Sequence, residues 1–102
     1  MNTCAAAEAK RADDELNRVY NRLLATVKDD AVAASKIRKA EQAWIANRDA
    51  YIEAMYPAED KQAEYGSMYP MEVSLLQARL TKQQIDALKE IEKENSPDGK
   101  TH

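Results

Sequence analysis

Phenylalanine is absent from the chain; cysteine, histidine and tryptophan occur once each, glycine twice and proline three times. Each scarcity excludes something. A single cysteine, Cys4, permits no intramolecular disulfide. That fits a reducing compartment without excluding the periplasm, and Cys4 reads as a packing or incidental thiol, with a helix-start thiol of lowered pKa as its rival. The lone His102 sits in the C-terminal tail, so a His general base or a His-dependent triad has no foundation. There is no Glu-x-x-His pair for a di-iron bundle site and no Cys/His spacing for zinc. Gly66 stands alone and cannot build a glycine-rich phosphate cradle. Val and Ile together number nine, too few for a β-rich fold, and so few Gly and Pro exclude a turn-dense one. No run approaches the ~18 to 20 apolar residues of a membrane span.

What is present is a helical vocabulary. The 102 residues suffice for one domain, and 44% are apolar, but 18 of those are Ala, so the core is thin. Charged residues make up 32% with both signs mixed, and the net charge is −3. That balance excludes a disordered acidic chain. With a pI near 5.2, nucleic acid is not an expected partner. Lys36-Ile37-Arg38-Lys39 is short and interrupted, and reads as a solvated helix face. The carboxylate runs Asp13-Asp14-Glu15 and Glu90-x-Glu92-x-Glu94 read as helix surface, not as catalytic pairs. Neither a metal nor a cofactor is expected, and the chain is expected not to be an enzyme.

Glycine and proline fall only within 57–70 and 97–99, and this punctuation marks three helical blocks. The first runs from about Thr3 to Lys28, with Thr3 or Asn2 as N-cap and Ala5, Ala9, Ala12, Leu16, Val19 and Leu23 on one stripe. Asp29 or Asp30 caps the second, about Ala31 to Tyr56, with Ile37, Ala40, Trp44, Tyr51, Ile52 and Met55 inward and Trp44 as core anchor. Pro57 ends it. Residues 57–69 form one long connection, in which Gly66 holds a special backbone angle. The third block opens near Pro70, and Thr81-Lys82-Gln83-Gln84 has capping-box form, which predicts a break near Leu80-Thr81. The fold class is therefore all-α: an antiparallel up-down-up bundle of three helices, the third broken into two. The domain covers 1–95, and 96–102 is a loose tail.

Two groups of polar residues stand out. Arg48 interrupts the inner stripe of the second block, and a buried guanidinium needs an acceptor. Asp13, helped by Asn17 from the first helix, is the expected partner, as a register-fixing pair. Tyr56, Tyr65 and Tyr69 gather around the connection with Met68 and Met71; they either close the bundle end or face a partner. The connection also carries Glu59, Asp60, Glu64 and Ser67, which with Tyr65 form the candidate partner-binding set.

Two motifs carry a resemblance. Met1-Asn2-x-Cys4-Ala5 followed by Ala12-Asp13-x-x-Leu16-Asn17-x-x-Tyr20, and Ala40-x-x-Ala43-Trp44-x-x-x-Arg48-Asp49-Ala50, resemble the lysozyme inhibitor LprI-like N-terminal domain family. Gly66-Ser67 and Leu80-Thr81 follow in the family's order, and the likeness spans about 1–90. The resemblance implies a small helical protein, exported to the periplasm or cell surface, that binds a protein such as a lysozyme or a related cell-wall hydrolase. An immunity or adaptor protein for a different effector, with a cytoplasmic location, is the alternative. The M-N-x-C-A motif of the family lies just beyond a removed signal peptide, so Met1 is expected to be an internal residue and this chain a mature form. Further family cysteines correspond to Ile52 and Leu76 here, and a family Arg to Gln84; Ile and Leu at those places are what a packed core accepts.

Overall fold

A computed structural model describes residues 2–95, with side chains from Thr3 onward; the tail 96–102 and its His102 lie outside the described residues. The elements are α1 (Asn2–Thr26), α2 (Ala31–Met55), α3 (Lys61–Tyr65), a 3₁₀ turn (Gly66–Met68) and α4 (Tyr69–Asn95). No strand occurs among the described residues.

The first helix buries Ala5, Ala12, Leu16, Val19, Leu23 and Val27, a stripe at helical spacing. Its surface is laced by Lys10–Asp14, Arg11–Glu8 and Arg18–Glu15 pairs, three or four residues apart. After Thr26 the chain turns tightly, with the Asp30 N–H donating to the Val27 carbonyl at 2.9 Å. Asp30 then caps α2, its carboxylate accepting from the Ala33 N–H at 2.9 Å. Pro57 stops α2 one residue after the Tyr56 cap.

Hydrogen bonds between helices fix the directions. Glu8 meets Lys82 and Arg22 meets Glu92, so numbers rise together and α1 and α4 run parallel. Glu41 meets Gln84 and Tyr56 meets Glu72, so α2 runs antiparallel to α4. The bundle is therefore up-down-up. Small residues at Ala5, Ala12, Ala78 and Thr81, all buried, let α1 and α4 approach closely, while α2 stands farther off.

The aliphatic core is gathered toward the α1–α2 turn: Leu16, Val19, Leu23 and Val27 with Ala34 and Ile37, and Ile85 and Leu88 of α4. Ile52 and Leu76 are both buried. The radius of gyration is 16.6 Å and the extents are 54 × 24 × 21 Å. A compact domain of this length has a radius of about 13 Å. The molecule is thus a rod, and grooves between its helices stay open.

Two expectations are corrected. The third block does not break near Leu80-Thr81, because α4 runs uninterrupted through it. Thr81 is 1% exposed and spends its hydroxyl on Asp13 of α1 at 3.4 Å, while Gln84 donates across to Glu41 at 3.0 Å. Both halves of the supposed capping box thus serve contacts between helices. The second correction is that 57–69 is not a structureless connection. Asp60 accepts from the Ala63 N–H at 3.0 Å and caps α3, which Gly66 ends at φ 77°.

Candidate interaction surfaces

At the bundle end where α2 stops and α4 begins, three tyrosines lock together. Tyr56 meets Tyr65 and Tyr69 edge-on, each at 5.2 Å between ring centroids, and Tyr65 stacks on Tyr69 at 5.6 Å. The Tyr65 hydroxyl accepts from the Ala58 N–H at 3.0 Å, and the Tyr56 hydroxyl donates to Glu72 at 3.3 Å. Burial, with the Glu72 carboxylate beside it, pushes the Tyr56 phenol above its ordinary value, so it stays a donor. Lys61 ties the same corner through the Tyr56 carbonyl and Glu53. All three rings are half-buried. Of the two readings of these tyrosines, closure of the bundle end is the one their mutual packing matches.

The candidate contact residues on this segment divide accordingly. Glu59, Glu64 and Ser67 are exposed, and their side chains make no hydrogen bond or ion pair to another described residue. Asp60 is the α3 cap and Tyr65 a member of the ring cluster, so both hold the shape on which the others are displayed.

Asp13, Asn17 and Arg48 are not brought together. Asp13 accepts from Thr81 of α4, and Asn17 is exposed. Arg48 lies over the Trp44 ring at 5.1 Å and reaches the carboxylate of its neighbour Asp49 at 3.2 Å. The physical reason is the helix pairing: the inner edge of α1 faces α4 most closely, not α2. Trp44 packs against the aliphatic core but is only half-buried, short of a fully enclosed anchor.

Trp44 and Arg48 instead form one wall of a cleft of about 390 Å³ between α2 and α4. Asn47 and Tyr51 continue that wall; Arg79, Leu80, Gln83 and Gln84 form the other. Sequence reading did not single out Arg79 or Gln83, because the cleft exists only once α2 and α4 lie antiparallel. It also passed over Glu41, 7% exposed, whose Oε1 accepts from Gln84 and so fixes that side chain. A larger groove of about 730 Å³ runs between the start of α1 and α4, bordered by Cys4, Ala5, Met71 and Leu75. Among the described residues no cluster of His, Cys, Asp and Glu is placed to hold a metal ion, and no helix is long and apolar enough to cross a membrane.

A protein of Rhizobium meliloti (strain 1021), described as the uncharacterized protein R02472, is 34% identical over 102 residues, which cover 89% of this chain and 70% of that protein. No solved structure matches. The family described as lysozyme inhibitor LprI matches residues 1–88, from the Cys4 motif through Trp44 and Arg48 into the core stretch of α4, and the chain belongs to that family.

Proposed function

We propose that this chain is a non-enzymatic binding domain that inhibits a lysozyme or a related cell-wall hydrolase by occluding its substrate cleft, in the periplasm or outside the cell. The observation that carries the reading is the family match over residues 1–88. Inhibition by occlusion asks for a rigid, complementary surface and no chemistry of its own. The end segment supplies a candidate contact: Glu59, Glu64 and Ser67, displayed on the frame that Asp60 and Tyr65 hold. Its acidic groups suit the basic exterior of a lysozyme, chiefly by steering the encounter.

The test is a titration of the purified protein against a panel of lysozymes, with residual cell-wall lysis read beside calorimetric binding. Stoichiometric inhibition is expected. Absence of binding to every member overturns the reading in favour of an immunity or adaptor role toward another protein. The contact is mapped with Glu59→Gln combined with Glu64→Gln, leaving Asp60 and Tyr65 intact. The pair is expected to slow association several-fold at low salt and hardly at all at high salt; association equal to wild type at low salt removes this segment from the interface.

A further inference from the structure

We propose that the cleft between α2 and α4 is the energetic centre of the interface, and that Arg48 and Arg79 receive there the acidic side chains of the hydrolase's own substrate cleft. This rests on the inhibitor reading above and names the surface and the chemical group it captures.

The cleft has the make-up of a binding hot spot. Trp44, Tyr51, Arg48 and Arg79 lie together in it, and none of its lining residues is Lys, Asp or Glu. Trp, Tyr and Arg are the residues most enriched where interface energy concentrates, while Lys, Asp and Glu are depleted. Its volume of about 390 Å³ suits the entry of one or two side chains rather than of a whole helix.

The charges in the cleft are short of acceptors. Arg79 is exposed and has no ion pair among the described residues. The Arg48 side chain is 22% exposed and its carboxylate partner is Asp49, 65% exposed and adjacent in sequence. Adjacent residues on a helix do not face one another, so Asp49 leaves the guanidinium fork incompletely used. Arg48 is nevertheless held in place, stacked on Trp44 at 5.1 Å. A guanidinium already oriented by a ring loses less freedom on engaging a carboxylate than a free one. The amides of Asn47 and Gln83, on opposite walls, add further donors.

A partner suited to this cleft presents carboxylates on a protruding or concave wall. Most glycoside hydrolases have them, since they ordinarily cleave their substrate with a pair of Asp or Glu side chains flanking the bond. The end segment lies close by: Tyr51 precedes Tyr56 by five residues, roughly 7.5 Å along the helix. The exposed Glu59 and Glu64 are thus placed to meet the basic exterior while the cleft arginines receive the acidic side chains.

The experiment uses the full chain and a lysozyme that the wild-type protein inhibits. Arg48→Gln and Arg79→Gln are each expected to weaken inhibition about 30-fold, the loss typical of a hot-spot residue. Arg38→Gln, an exposed α2 residue that does not line the cleft, is the control for net charge and is expected to change inhibition less than threefold. A hydrolase variant with its two acids changed to amides is expected to bind wild type weakly and to be indifferent to Arg79→Gln. Because Trp44 is the single tryptophan, replacement by 5-fluorotryptophan gives one fluorine resonance, which is expected to move when the hydrolase binds. Inhibition that survives both arginine substitutions in a folded protein overturns this placement and leaves the inhibitor reading standing. Failure of wild type to inhibit any lysozyme overturns that reading and this proposal with it. A fluorine shift produced by a cell-wall oligosaccharide alone assigns the cleft to a sugar and overturns it as well.

Discussion

Gly66 sits at φ 77° and ψ −168°, a backbone region that only glycine enters readily. A Cβ added there meets nothing within 4 Å, so the cost of a side chain is conformational and not steric crowding. Gly66→Ala is expected to lower stability by about 1–3 kcal/mol, measured by urea denaturation. Gly66→Asn is expected to do no better, because asparagine is tolerated in the left-handed helical region and this ψ lies far outside it. A rescue by asparagine would show that the turn relaxes. Glu41 poses a different problem. It is 7% exposed, and its hydrogen bond comes from the Gln84 amide at 3.0 Å. Gln84→Leu leaves a buried carboxylate without that donor and is expected to cost about 1–3 kcal/mol. Combining it with Glu41→Leu is expected to recover most of the loss, since replacing both partners by apolar groups removes the desolvation cost. A double-mutant cycle reads the coupling directly, and additive losses would mean that the two side chains act independently.

Between elements, α1 and α4 are clamped at both ends. Arg22 holds Glu92 with two bonds, at 2.6 and 2.9 Å, and Lys82 holds Glu8. The Arg22 guanidinium keeps the Glu92 carboxyl below its ordinary value of 4.5, and Lys82, with Arg11, does the same for Glu8. A carboxylate whose pKa falls on folding stabilises the fold fully above its unfolded pKa. That contribution is lost as the pH drops through the folded one. The melting temperature is therefore expected to decline as the pH falls below 4.5, with Glu92→Gln showing a shallower decline than wild type. Both pairs are exposed, so each effect is small and shrinks in salt; a decline of equal steepness in Glu92→Gln would assign the acid sensitivity elsewhere. This clamp also explains what could be read from the chain. The two long helices and the Asp30 cap were legible because glycine and proline are confined to two places and because capping is a local rule. The short α3 was not, since five residues carry no stripe, although Asp60 before it and Gly66 after it were its signals. Thr81 and Gln84 imitate a capping box, and only the neighbouring helices reveal that both point across. The Asp13–Arg48 pairing failed for the same reason. A stripe tells which face is inner but not which helix it meets, and that choice was made by Ala5, Ala12 and Ala78 drawing α1 onto α4. The cleft of Trp44, Arg48 and Arg79 depends on that choice as well, so half of it stayed hidden in sequence.

At the scale of the molecule the rod has two unlike halves. Toward the α1–α2 turn, Val19, Leu23 and Leu88 are fully enclosed in one aliphatic cluster. Toward the other end burial falls to Ala5, Ala12, Ile52, Leu76 and Ala78, closed by half-buried tyrosines. Met55, Met68 and Leu75 there remain 48%, 44% and 50% exposed. The first half supplies most of the hydrophobic stabilisation, and the second presents the surfaces assigned to binding. Leu88→Ala is expected to cost about 2–5 kcal/mol, a large share of the ~5–15 kcal/mol that hold such a domain together. It should therefore depress amide protection along all three long helices. Tyr69→Ala removes a ring from the closing cluster and is expected to raise exchange only around α3, the 3₁₀ turn and the adjoining ends of α2 and α4. Hydrogen exchange read by mass spectrometry separates the two responses. If Tyr69→Ala loosens α1 near Leu23 as much as Leu88→Ala does, the rod opens as one unit, and its binding end is as rigid as its core. If the responses differ as expected, the end that meets a partner is free to adjust its loop while the aliphatic half keeps α2 and α4 at the spacing the cleft requires.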